Sequence, residues 1–259
     1  MARSLKSATR KILKRVETAT GVRLRLEPDL TPVSSVGEVR RYLLNPRSGE
    51  IVIRFNPRFA GLNYAVADQA LRVERFLSGE PYMIATTEAT RARAFGSMGL
   101  ELEQISPVTA DLGRELFPRI LDGLLSNLVS VPANPWIVRR LLAEAPTLRH
   151  DAKVGVGTMF AASYAALQAE LAAITPPTVY RAVNGMKAAS AYALAPLVAD
   201  DDLAQPYENA GFGKLAATLH ELNATDRGSA GDRETADAWA RELGLGDWYE
   251  WRRIDRRLP

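Results

Sequence analysis

Ile51-Val52-Ile53-Arg54-Phe55, then Asn56-Pro57-Arg58, then Asn63-Tyr64-Ala65-Val66-Ala67-Asp68-Gln69-Ala70-Leu71-Arg72: here a strand, a break and a helix follow one another. The first five residues are mostly β-branched or aromatic and read as a strand, and a Pro-containing break follows. Apolar residues then recur at helical spacing. Val66, Ala70, Val73 and Leu77 make the core stripe of a helix from Tyr64 to about Leu77, with Asn63 as its expected N-cap and Gly79 as its stop.

Upstream, Val39 to Leu44 reads as a strand and Asn45-Pro46-Arg47-Ser48-Gly49 as a turn, so residues 39–55 are expected to form a hairpin. Arg23 to Glu27 alternates in the strand manner, with Val22, Leu24 and Leu26 on one side. Residues 3–18 form an amphipathic helix, with Leu5, Ile12, Leu13 and Val16 near one face and cations on the others. Downstream the chain turns helical, with helices expected at 88–96, 109–129, 135–145, 154–174, 178–195, 211–222 and 232–243. Pro107, Pro132, Pro146, Pro176-Pro177 and Pro196 punctuate them. Asp226 to Asp232, with Gly228 and Gly231, reads as a mobile loop. The fold class is α+β and mostly helical: a small N-terminal sheet with one strand–helix unit, and a larger helical remainder. Residues 1–106 form the α+β part and 107–259 the helical part packed on it, or the two make one continuous domain.

Composition removes several chemistries. The 259 residues include no cysteine, so disulfides, thiolate nucleophiles and cysteine-bound zinc are excluded. No apolar run approaches the roughly 20 residues of a membrane span. The N-terminus lacks an apolar signal segment, and a cytoplasmic location is expected. Arg outnumbers Lys and Ala is abundant, a bias that points to a GC-rich bacterial genome. The net charge of +3 is mild, but both ends are basic. Arg3, Lys6, Arg10, Lys11, Lys14 and Arg15 precede the first acid, Glu17, and Arg252, Arg253, Arg256 and Arg257 stand near the other end.

A strand leading closely into a helix is where zinc peptidases of the HExxH kind place their site. Two imidazoles at i and i+4 share a helical face and grip one ion, and the Glu beside the first activates the bound water. The stretch from Ile51 to Arg72 resembles the ImmA/IrrE-like bacterial metallopeptidases, in which the helix reads AHExxH. In that register Asp68 stands at the first His, Gln69 at the general base and Arg72 at the second His. Val131-Pro132-Ala133-Asn134-Pro135-Trp136-Ile137-Val138 resembles a later Pro-x-Asp-x-x-Ile-Glu segment of those relatives, with Asn134 for the Asp and Val138 for the Glu. Asp237-Ala238-Trp239 through Trp248-Tyr249-Glu250-Trp251 is also similar to them.

The resemblance therefore implies a degenerate site. Arg72 is a permanent cation, Gln69 accepts no proton as Glu would, and Val138 has no ligand atom. It implies a pseudo-peptidase that acts by protein interaction in bacterial regulation, stress or phage-related biology, with no cofactor. Asp68, Gln69, Arg72, Arg75, Asn134 and Val138 would line the old cleft, where Arg72 and Arg75 could receive an acidic group. The plainer reading of Asp68 and Arg72 is an intrahelical pair contributing roughly 0.2–0.5 kcal/mol.

Three other readings stay open. His220-Glu221-Leu222-Asn223-Ala224 starts like HExxH but lacks the second His; with the only other His, His150, it could form an unusual zinc site of a metal hydrolase. Otherwise His220 is a helix-end residue, favoured by the dipole. Asp200-Asp201-Asp202 could attract a hard cation, though a solvated run or a cap is the simpler account. The basic ends could bind nucleic acid through Lys11, Lys14, Arg15, Arg252 and Arg253, with Trp248, Tyr249 and Trp251 interleaved. Alternatively, those aromatics pack onto the core. No G-x-S-x-G, G-x-G-x-x-G or P-loop is present. Homo-oligomerisation has no specific signal.

Overall fold

The apolar stripes of the sequence become the elements that hold the core. The structure is a computed structural model describing residues 5–28, 50–80, 82–105 and 107–253. Helix α1 (Ser7–Thr20) buries Ile12 and Val16 and ends on Gly21 at φ 70, a left-handed position that suits glycine. Strand β1 (Arg23–Pro28) follows, and its partner is β2 (Glu50–Phe55), with Leu24 opposite Ile51 and Leu26 opposite Ile53. This pairing is parallel. The expected strand at 39–44 and turn at 45–49 lie outside the described residues; among the described residues β2 pairs with β1.

Helix α2 (Leu62–Ser78) runs from β2 into the centre of the molecule and buries ten of its residues, Val66, Ala70 and Val73 among them. It begins two residues earlier than Asn63 capping would require: Gly61 is the N-cap and no side chain caps it. Asn63 instead reaches sideways, its Oδ1 accepting from the Lys6 backbone N–H at 2.7 Å and from Thr9 Oγ1 at 3.2 Å. Strand β3 (Tyr82–Ala85), α3 (Glu88–Ile105) and α4 (Pro107–Ser130) come next. Then follow α5 (Asn134–Glu144), α6 (Arg149–Tyr164), the short α7 (Ala169–Ile174) and α8 (Pro177–Val198). The chain closes through α9 (Gln205–Asn209), α10 (Gly213–Leu222), α11 (Gly228–Leu243) and β4 (Glu250–Arg253). Strand β4 pairs antiparallel with β3, Ile84 opposite Trp251, making a second two-stranded sheet. The fold is mostly helical α+β.

Three expected elements differ. The helix expected over 154–174 stops at Tyr164, passes through one 3-10 turn at Ala165–Leu167, and restarts at Ala169 after Gln168 turns extended. Pro196 sits inside α8 rather than ending it. The stretch Asp226–Asp232 is not a loop throughout, because α11 starts at Gly228.

Two clusters of buried side chains make the core. The first gathers Ile12, Val16, Ile51, Ile53, Leu71, Leu141, Leu148, Phe160 and Tyr207. The second gathers Met98, Leu121, Leu128, Leu219, Trp239, Leu243, Trp248 and Tyr249. Helix α8 serves both: Ala188, Ala191, Leu194 and Val198 face the first, and Val179, Ala182, Met186 and Ala189 the second. No helix among the described residues is long and apolar enough to cross a membrane.

Candidate functional site

Asp68 and Arg72 share one face of α2, four residues apart, and that face is turned inward. Arg72 Nε donates to Asp68 Oδ2 at 2.7 Å and Nη2 donates to Asp68 Oδ1 at 3.3 Å. The remaining donors leave the helix. Nη1 donates to the Ser130 carbonyl at the end of α4 (3.2 Å), and Nη2 to Asn134 Oδ1 at the start of α5 (2.5 Å). Asn134 passes the chain on, its Nδ2 donating to Ser190 Oγ of α8 at 3.1 Å. Gln69 Nε2 donates to Asp68 Oδ2 at 3.3 Å. Three helices thus meet at one guanidinium, and α8 joins them through Asn134.

The electrostatics follow from the burial. Asp68 and Gln69 are each 5% exposed and Asn134 is 9% exposed. Burial works against the charge of Arg72, but the Asp68 carboxylate outweighs it and raises its pKa further. Burial also pushes the Tyr64 hydroxyl far up, with the charge of Asp68 adding to the effect and that of Arg72 opposing it. A planar guanidinium with fixed donors is suited to such a junction, because one side chain satisfies a carboxylate, an amide oxygen and a carbonyl together.

The structure brings Asp68, Gln69, Arg72 and Asn134 into one place. Val138, one turn beyond Asn134, is fully buried in the first core cluster. These residues do not line an open cleft, since the unit is closed by α4, α5 and α8. Arg75 does not join them. It donates from Nε to Asp232 Oδ2 (2.9 Å) and from Nη2 to Asp232 Oδ1 (2.7 Å) and Asp226 Oδ1 (2.9 Å). These bonds tie α2 to the start of α11. The acidic group expected to come to Arg75 from outside is supplied by the chain itself.

Arg15 is similarly committed. Its Nη1 and Nη2 donate to the two oxygens of Glu74 at 2.7 and 2.8 Å, and its Nε to Glu144 at 3.0 Å. Arg140 closes the ring, donating to Glu74 at 3.0 Å and Glu144 at 2.8 Å. Burial favours the protonated Glu74, but the hydrogen bonds and charges of Arg15 and Arg140 prevail and hold its pKa below the usual carboxylate range. Lys6 Nζ pairs with Asp151 at 2.5 Å. Lys11 and Lys14 remain exposed on α1, so the cationic face is narrower than the count of basic residues suggests. Arg252 and Arg253 are exposed on β4, while Trp248 and Tyr249 are buried. The aromatics of the tail pack inward: the Tyr249 hydroxyl and Trp251 Nε1 both donate to Asp237 Oδ1, at 2.6 and 2.7 Å.

His150, His220 and Glu221 are not assembled into a metal site. His150 is exposed in the first turn of α6, and His220, in the last turn of α10, packs edge-on against Tyr192 with ring centroids 5.1 Å apart. Among the described residues no group of three His, Asp or Glu side chains could hold a metal ion, the Asp200–Asp202 run included. That run enters a 3-10 turn at Asp201–Ala204.

Ser130, Ser190, Glu74, Arg140 and Asp151 escape the sequence reading. Only Glu74 carried a signal, as an acid on the helix of the site; the others reach it through tertiary packing. Comparison with protein-family models, with curated proteins and with solved structures finds no match to this chain.

Proposed function

We propose that this chain is a non-catalytic scaffold of metallopeptidase-like descent that acts by protein interaction, in the cytoplasm of a bacterium. One observation carries the reading. At the register positions of two imidazoles and a general base stand Asp68, Arg72 and Gln69, and the Arg72 guanidinium is bonded to Asp68, Ser130 and Asn134. A permanent cation at this point repels a metal ion and occupies the space between α2 and α5. Asn134 meeting Arg72 also supports the register, since the resemblance requires the later segment to face the site helix. The unit holds helices together, and binding falls to the outer surfaces of the molecule.

Zinc titration of the chelator-treated chain tests this, beside a variant carrying Asp68→His, Arg72→His and Val138→Glu. Two imidazoles at i,i+4 and a carboxylate from α5 would restore a three-ligand set. The wild type is expected to take up no stoichiometric zinc and to leave peptide substrates intact, while the folded variant gains one zinc. Stoichiometric zinc with peptide hydrolysis in the wild type would sink the reading. A variant that folds, by circular dichroism, yet binds no zinc would sink the register on which it rests.

A further inference from the structure

Where the end of α2 meets β3, β4 and the start of α11, the chain leaves a cavity of about 80 Å³. Phe76, Met83, Ile84 and Val129 make an apolar part of its wall, with the rings of Tyr82 and Trp251 beside them, and Glu80, Ser229 and Asp232 add polar groups. Arg233 also lines it, with its guanidinium carbon 4.8 Å from the centre of the Tyr82 ring and 5.6 Å from that of Trp251. Ring faces attract a guanidinium without engaging its N–H donors. Among the described residues Arg233 makes no hydrogen bond or ion pair. Arg75, on the same wall, already has Asp226 and Asp232.

A half-buried guanidinium, fixed by two aromatic rings and keeping its donors, is positioned to receive a planar anion. The two acids at the cavity do not compensate it. Asp232 is bound by two hydrogen bonds to Arg75, and Glu80 is exposed at the rim, where solvent screens it. Size limits the rest of the ligand. One water claims about 30 Å³ and a cavity of about 150 Å³ takes a benzene ring, so this space suits a branched chain of about three or four carbons.

We propose that this cavity seats a short aliphatic chain whose carboxylate pairs with Arg233, a chemistry shared by a small branched carboxylic acid and by a polypeptide C-terminus ending in an aliphatic residue. The chain would displace water from Phe76, Met83, Ile84 and Val129, and the carboxylate would meet the guanidinium fork at the mouth. The Asp68–Arg72 unit contributes no residue to this cavity, so the inference stands or falls apart from the proposed scaffold role.

Calorimetric titration of the full chain tests it with three probes: isovalerate, a tetrapeptide ending in valine, and the same peptide as its C-terminal amide. Saturable binding of at least one acid is expected, with the amide much weaker. Arg233→Met keeps the length of the side chain and removes the fork, so affinity should fall roughly 10- to 100-fold, and Arg233→Lys should recover part of it. The acid peptide binding about tenfold tighter than isovalerate would assign the site to a chain terminus, and equal or tighter isovalerate to a small acid. Either result supports the proposal. No saturable binding of either acid up to about 10 mM, equal binding of amide and acid, or unchanged affinity in a folded Arg233→Met chain would overturn it.

Discussion

Arg72 shows how far a local pairing rule reaches. On an exposed helix an acid four residues before a cation contributes only a few tenths of a kcal/mol, roughly 0.2–0.5. Here the pair is buried and the cation also serves Ser130 and Asn134. Removing one partner leaves a charge without compensation, so Arg72→Met should destabilise the chain by about 3–5 kcal/mol in chemical denaturation. Asp68→Leu combined with Arg72→Met removes both charges and should recover most of that loss. Two additive single effects, or a loss below about 0.5 kcal/mol, would mean that water still solvates the pair. The sequence indicates Asp68, Gln69, Arg72 and Asn134, because they lie in the two stretches that carry the expected resemblance. It does not indicate Ser130 or Ser190, whose part is a carbonyl and a hydroxyl that any helix end or helix face can offer.

At the scale of elements, the entry of α2 into the core depends on two glycines. A Cβ on Gly61 would lie 2.6 Å from the Gly155 Cα, and one on Gly155 would lie 2.4 Å from the Tyr64 ring. Helices α2 and α6 can approach this closely only because both positions are bare. Gly155→Ala should therefore cost about 1–3 kcal/mol by overpacking. Gly157→Ala, two residues on in the same helix and with nothing within 4 Å of the new methyl, should stabilise by about 0.5–1 kcal/mol. Thermal denaturation of the two variants side by side checks this pair, and shifts of the same sign would refute the close approach. Long periodic segments such as Ile51–Phe55 and Tyr64–Leu77 are legible because their period matches the face they bury. Strand β3 is not: it has four residues, and its partner, β4 (Glu250–Arg253), lies far away in the sequence. The start of α11 is hidden for a related reason. Gly228 and Gly231 read as a loop, but Arg75 reaches from α2 to Asp226 and Asp232 and steadies the first turn.

For the whole molecule, the sharing of α8 makes the two core clusters interdependent. Trp239 and Trp248 sit in the second cluster, so tryptophan fluorescence follows mainly that cluster, whereas circular dichroism follows the helices of both. The two signals should trace one unfolding transition with a common midpoint. Fluorescence changing first would mean that the second cluster melts alone and that α8 does not couple it to the first. The same arrangement has a consequence for synthesis. The first cluster joins Ile12 to Ala216, and the second closes only with Trp248 and Tyr249. At about 5–20 residues per second, a ribosome leaves Ile12 waiting roughly 10–40 s for Ala216 to appear. During that interval α1 and α2 expose apolar faces with no completed core to cover them, so this chain depends on whatever shelters nascent polypeptides more than its finished stability would suggest.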